Sequence, residues 1–158
     1  MAEDHDKFWT TIEAQRTAML TTISGQQLDS RPMATYADRG EGRIHLITGL
    51  DDKTRDIAAH APVNLAYMDT SDRTYVSVSG TAQVSQDREK LRALWNPFAQ
   101  AWLPEGPDGA NVALITVNPR EATIWDSDSS RIVVTAKALA AATLGTTPDA
   151  GKVEHVSL

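Results

Sequence analysis

At 158 residues, with 41% hydrophobic and 23% charged, the chain has the make-up of one folded water-soluble domain and not of a disordered or fibrous protein. It has no cysteine, which removes disulfides, thiolate metal sites and thiol nucleophiles together. A formal net charge of −6, an acidic start and no run of ~20 apolar residues set the expectation of a cytoplasmic protein with neither a nucleic-acid nor a membrane partner.

Phe8, Trp9 and Ile12 fall at helical spacing behind an acidic first turn, which predicts an amphipathic helix over about 4–16. The runs 18–23 and 30–36, separated by the polar group 24–27, read as a strand, a turn and a strand, and Arg43 to Thr48 reads as a third strand after a turn at 38–42. Asp51 and Asp52 head a short helix over 53–60, closed by Pro62. Strands are expected at 63–68 and 74–84, with a hairpin loop at 69–72, then a helix at 87–95 with Asp87 as its N-cap. Asn96-Pro97 interrupts that helix, and a second short turn runs through Trp102 to a loop at 104–109. The last central strands are 112–117 and 122–125. Beyond them, 131–158 reads as a strand, an alanine-rich helix to Leu144 and a loose Gly- and Pro-containing end. The pattern gives a single domain over 1–158, mainly β with peripheral α, in which six or seven short antiparallel strands at about 18–126 make a barrel.

Within this frame, Pro32 cannot donate a ladder hydrogen bond, so its strand belongs at an edge or a bulge, and Arg31 beside it offers a planar cation suited to phosphate. By itself an Arg-Pro pair on an edge strand is a solvated charge and a sheet terminator. Thr48 at a strand end, followed by Lys53 at a helix start, brings a hydroxyl and an ammonium within reach of one anion. The competing reading has Asp51 capping the helix while Lys53 points to water. Four histidines, His5, His45, His60 and His155, are scattered as surface or strand-edge residues with no pair at metal-ligand spacing, so no metal site is predicted. Glycine fingerprints for dinucleotides, a P-loop and a Gly-x-Ser-x-Gly setting are all absent. No side chain stands out as a catalytic acid or base.

Taken together, Leu20-Thr21-Thr22, Ser30-Arg31-Pro32-Met33, Ile47-Thr48-Gly49 with Lys53, Tyr75 to Ala82, Leu94-Trp95, Trp102 to Gly106 and Ile124-Trp125-Asp126 resemble the general stress proteins of the pyridoxamine-phosphate-oxidase-like superfamily. The resemblance runs from about Phe8 to Asp126. It implies an FMN-binding split β-barrel that is a homodimer with flavin where the subunits meet. It further implies that Arg31 and Lys53 hold the phosphate beside Thr48, that Pro32, Met33, Ala34 and Ile47 line the ring, and that Trp102 and Trp125 are aromatic walls, the latter reaching a partner's flavin. Two departures matter. Asp51 stands where the superfamily often has a serine, and Asp126 to Arg131 replaces the basic substrate-holding run of true pyridoxamine phosphate oxidases, which argues against vitamin B6 oxidation. The implied activity is flavin-dependent oxidoreduction of an unknown small molecule, with a nicotinamide as a possible donor. Flavin sequestration without turnover, FAD or a deazaflavin in place of FMN, and a plain interaction module remain open.

Overall fold

The computed structural model describes residues 2–55, 57, 61–126 and 152–158. The chain begins with helix α1 (Ala2–Gln15), then strands β1 (Thr17–Ser24), β2 (Gln27–Ala34), β3 (Tyr36–Asp38) and β4 (Arg43–Gly49). A one-turn helix α2 (Asp52–Arg55) leads to β5 (Ala61–Asp69) and β6 (Thr74–Ser85). Helices α3 (Arg88–Leu94) and α4 (Pro97–Trp102) precede β7 (Val112–Asp126), and β8 (Lys152–Ser157) ends the chain. Every ladder is antiparallel, in the order β2-β1-β5-β6-β7-β4-β3 with β8 on β7. The sheet curls until β2 comes near β4. No ladder joins those two among the described residues, so the barrel stays split.

Alternation builds its interior. Along β5 and β6 every second side chain is buried, among them Val63, Leu65 and Tyr67, then Val76, Val78 and Ala82. These meet Leu20, Ile44, Leu46, Ile115 and Ile124 in one apolar cluster, which α1 closes with Phe8, Trp9 and Ile12, the two aromatic rings meeting edge to face. A second, smaller cluster forms on the other side of β4 and β7, where Leu91, Val112 and Leu114 pack with Ile47, Leu94, Trp95 and Leu103. The α3 and α4 helices therefore sit outside the barrel.

The two segments expected at 112–117 and 122–125 are one strand of 15 residues. Its first half pairs with β4 and its second half with β8, and Pro119 falls at the changeover, beside a register shift at Ser79/Gly80. A proline is tolerated there because a bulge interrupts the ladder. The end expected to be loose is instead the edge strand β8. Its residue Val156 is buried against the main core, and His5 on α1 bonds the Ser157 carbonyl at 2.8 Å. The strand and helix expected between 131 and 144, and His60, lie outside the described residues. No helix among the described residues is long and apolar enough to cross a membrane.

Candidate functional site

With the barrel interior filled by side chains, space for a ligand lies outside it, at the split. A groove of about 450 Å³ opens between the end of β2, the end of β4 and α4. Pro32, Met33 and Ala34 form one wall, Ile47, Thr48 and Gly49 a second, and Phe98, Ala99, Trp102 and Leu103 a third, and Thr17 and Tyr36 complete the lining. Six of the nine residues singled out from sequence, Pro32, Met33, Ala34, Ile47, Thr48 and Trp102, meet in this one place.

Local sequence explains the walls. As the outermost strand of the sheet, β2 accommodates Pro32 opposite Met19 with no strand among the described residues on its other side to need the missing N–H. Helix α4 starts where Asn96 caps it by accepting from the Ala99 N–H at 3.0 Å, with Pro97 in the first turn. The same Asn96 donates its amide to the Tyr36 hydroxyl at 2.7 Å, which fastens the helix to β3. Ala99 is buried, while Phe98 and Trp102, four residues apart, stand 59% and 74% exposed with ring centroids 6.4 Å apart. Two large apolar rings on a groove rim are a ready surface for a flat ligand. Phe98 and Tyr36 were not singled out from sequence, because only the docking of α4 brings them there.

Arg31 lies beside the groove. By strand alternation its side chain shares a face with Met33, which both lines the groove and packs on the core, and it sits opposite Leu20. Its Nη2 is buried and has no hydrogen-bond partner among the described residues. A buried guanidinium donor left open is costly, and an anion is the natural partner for it. For Lys53 the structure gives the backbone, in α2; its side chain lies outside the described part. Asp51 caps α2, its carboxylate accepting from the Thr54 N–H at 2.9 Å, so its charge is engaged by its own helix. Thr48 donates to the neighbouring Gly49 carbonyl at 3.2 Å.

Trp125 is not part of this groove. It projects 41% exposed from β7, beside Tyr75.

Away from the groove, His45 is buried at 2% exposure and paired on both sides, with Tyr36 and Thr116, and not at the surface or a strand edge as expected. Burial, with Lys90 nearby, holds its imidazole below the usual histidine range, against the opposing pull of Glu41. Donor atoms of His45, Asp38 and Glu41 all lie within 4.8 Å of one another. The other described histidines bond singly, His5 to Ser157 and His155 to the Thr123 hydroxyl.

The family model described as "Pyridoxamine 5'-phosphate oxidase like" matches residues 3–149. Among solved structures, one from Jannaschia sp. CCS1, provisionally named general stress protein 26, is 28% identical, with full coverage of both chains and a TM-score of 0.78. The general stress FMN/FAD binding protein of Xanthomonas citri is 27% identical, covering 82% of this chain and 93% of its own, at a TM-score of 0.73. Protein bli-3 of Neurospora crassa is 30% identical over 105 residues, 63% of this chain and 50% of bli-3, so the match spans half the length of that curated relative.

Proposed function

The chain belongs to the pyridoxamine 5'-phosphate oxidase-like family, and from that premise we propose that its groove binds a flavin nucleotide, FMN in the first instance, with a second copy of the chain closing the site. The observation that carries this reading is an apolar, aromatic-rimmed groove whose Pro32 wall follows directly on Arg31, a residue with a buried side-chain nitrogen that has no hydrogen-bond partner among the described residues. That pairing suits a ligand with a wide flat ring at one end and a phosphate at the other. The likeness to a Xanthomonas citri protein named for FMN/FAD binding supports the same reading.

In it, Arg31 and Lys53 hold the phosphate beside Thr48. Pro32, Met33, Ala34 and Ile47 bound one side of the ring, and Trp102 covers the rim. A bound flavin would supply hydride or electron transfer. The protein's own share is to bind, orient and exclude water: the groove's polar side-chain groups are the hydroxyls of Thr17, Tyr36 and Thr48 and the indole N–H of Trp102, with no carboxylate or imidazole among its lining residues. That lining supports a direct transfer, from a nicotinamide for example, without a protein acid or base. It equally suits a protein that holds flavin without turnover, which keeps that second reading alive.

Trp125 enters through the partner. Met68, Tyr75 and Trp125 are exposed side by side on one sheet face, the kind of surface a second copy would cover. The test is the visible spectrum of the purified protein with mass spectrometry of any released small molecule, followed by addition of FMN and then NADPH. A yellow protein whose flavin is reduced and reoxidised over many cycles supports the oxidoreductase. Flavin bound without turnover leaves the sequestering role, and a colourless monomer that ignores FMN, FAD and deazaflavin overturns both.

A further inference from the structure

We propose that Asp38, Glu41 and His45 form a binding site for one divalent cation that favours mixed nitrogen and oxygen ligands, Zn²⁺ being the best match, at the β3–β4 hairpin. The three side chains come from a strand end, the turn and the following strand, and the hairpin register folds them together. His45 is the observation that points to a ligand. Its side chain is only 3% exposed, and its Nε2 has no hydrogen-bond partner among the described residues. Its other nitrogen, Nδ1, lies 3.1 Å from the Thr116 hydroxyl, which fixes the ring so that Nε2 faces Glu41.

The remaining donors are half engaged. Asp38 Oδ1 accepts from the Glu41 N–H at 3.0 Å, which leaves Oδ2. Glu41 Oε1 accepts from Lys90 at 2.6 Å, which leaves Oε2, and that oxygen stands 3.5 Å from His45 Nε2. Two ligand atoms each about 2.1 Å from a tetrahedral ion lie roughly 3.4 Å apart, so this pair already has the spacing of two metal ligands. Asp38 would complete three protein ligands and water a fourth. Lys90 marks the same spot as attractive to cations: its ammonium is 4.0 Å from Asp38 Oδ2 as well, and it is the competitor a metal ion must push aside. Tyr36, the cross-strand neighbour of His45, lines the groove, so an ion here would brace that wall.

The test is zinc titration of the full-length protein after chelator treatment, by calorimetry, with Co²⁺ spectra as a report on ligand geometry. Wild type should take up one Zn²⁺ per chain saturably. Glu41→Gln and Asp38→Asn, both at exposed or half-exposed positions, should each weaken it at least about tenfold, as should His45→Gln, while Lys90→Met should tighten it. Absence of saturable uptake by folded wild-type protein would overturn the proposal, and so would wild-type affinity in Glu41→Gln.

Discussion

Trp125 stands directly opposite Tyr75 across the β6–β7 ladder, and Tyr75 in turn stands opposite Met68 on β5. All three remain exposed, at 41%, 36% and 61%. Covering the part of such side chains still exposed is worth roughly 1 kcal/mol each, and a two-fold contact uses every residue twice. On the proposed dimer, Trp125→Glu should therefore shift sedimentation velocity from dimer to monomer while leaving the fold intact by circular dichroism. Trp125→Ala asks the second question, whether the indole also touches flavin, and a loss of about tenfold in FMN affinity without loss of the dimer is the expected answer. A Trp125→Glu protein that sediments like wild type would show that this face is not the contact.

Arg31 separates the two ends of the proposed ligand. A hydrogen bond to a charged group is worth about 1.5–3 kcal/mol, or roughly 10- to 100-fold in affinity. Arg31→Ala should lower FMN binding by that factor in a flavin fluorescence titration and leave riboflavin, which lacks the phosphate, almost unchanged. An equal loss for both would place Arg31 against the ring.

Sequence and structure agree where a single residue carries its own physical instruction. Pro32 announces an edge strand, Asp87 announces a helix start, and the strict alternation along β5 and β6 announces two half-buried strands. They diverge where the outcome depends on residues distant in the chain. Pro119 looks like a strand breaker until Gly80, 39 positions earlier in the numbering, is seen to meet it in a bulge. The final strand has too little apolar periodicity to stand out, and it forms because β7 offers an open edge. Phe98 comes to the groove only when α4 is fastened to β3 through Asn96 and Tyr36, and His45 gains its acidic neighbours only when the hairpin closes.

Gly80 is the position where that long-range fit is tightest. A Cβ there would collide with the Asn118 carbonyl oxygen and crowd Pro119 Cα, and both are backbone atoms that cannot swing aside. Gly80→Ala should cost about 3 kcal/mol, the upper end for forced overpacking, read as a lower midpoint in urea unfolding. Gly25→Ala is the contrast. Its φ of +62° strains any other residue, but nothing lies within 4 Å, so only about 1–2 kcal/mol should be lost. Equal costs at the two sites would mean that the backbone at Asn118 and Pro119 yields to the added Cβ.

Tyr67 supplies a test of the core by pH. Its ring is fully buried and its hydroxyl donates to the Thr35 Oγ1 at 3.0 Å. Burial pushes the phenol up to about 12 from an ordinary 10.0, against a smaller opposing effect of the Thr35 hydrogen bond. Below pH 10 both folded and unfolded chains keep the proton, so the shift has no effect on stability there. Between pH 10 and about 12 the unfolded chain releases the proton while the folded chain retains it, so stability falls as pH rises, by about 2–3 kcal/mol across that window. Other groups also titrate at alkaline pH, and Tyr67→Phe isolates this one. At pH 8 that variant should be less stable by about 1 kcal/mol, the value of the lost hydrogen bond. By pH 11 the deficit should shrink or reverse, because the variant has no buried phenol to protect. Parallel stability curves for the two proteins from pH 8 to 11 would mean that the Tyr67 hydroxyl reaches water in the folded state.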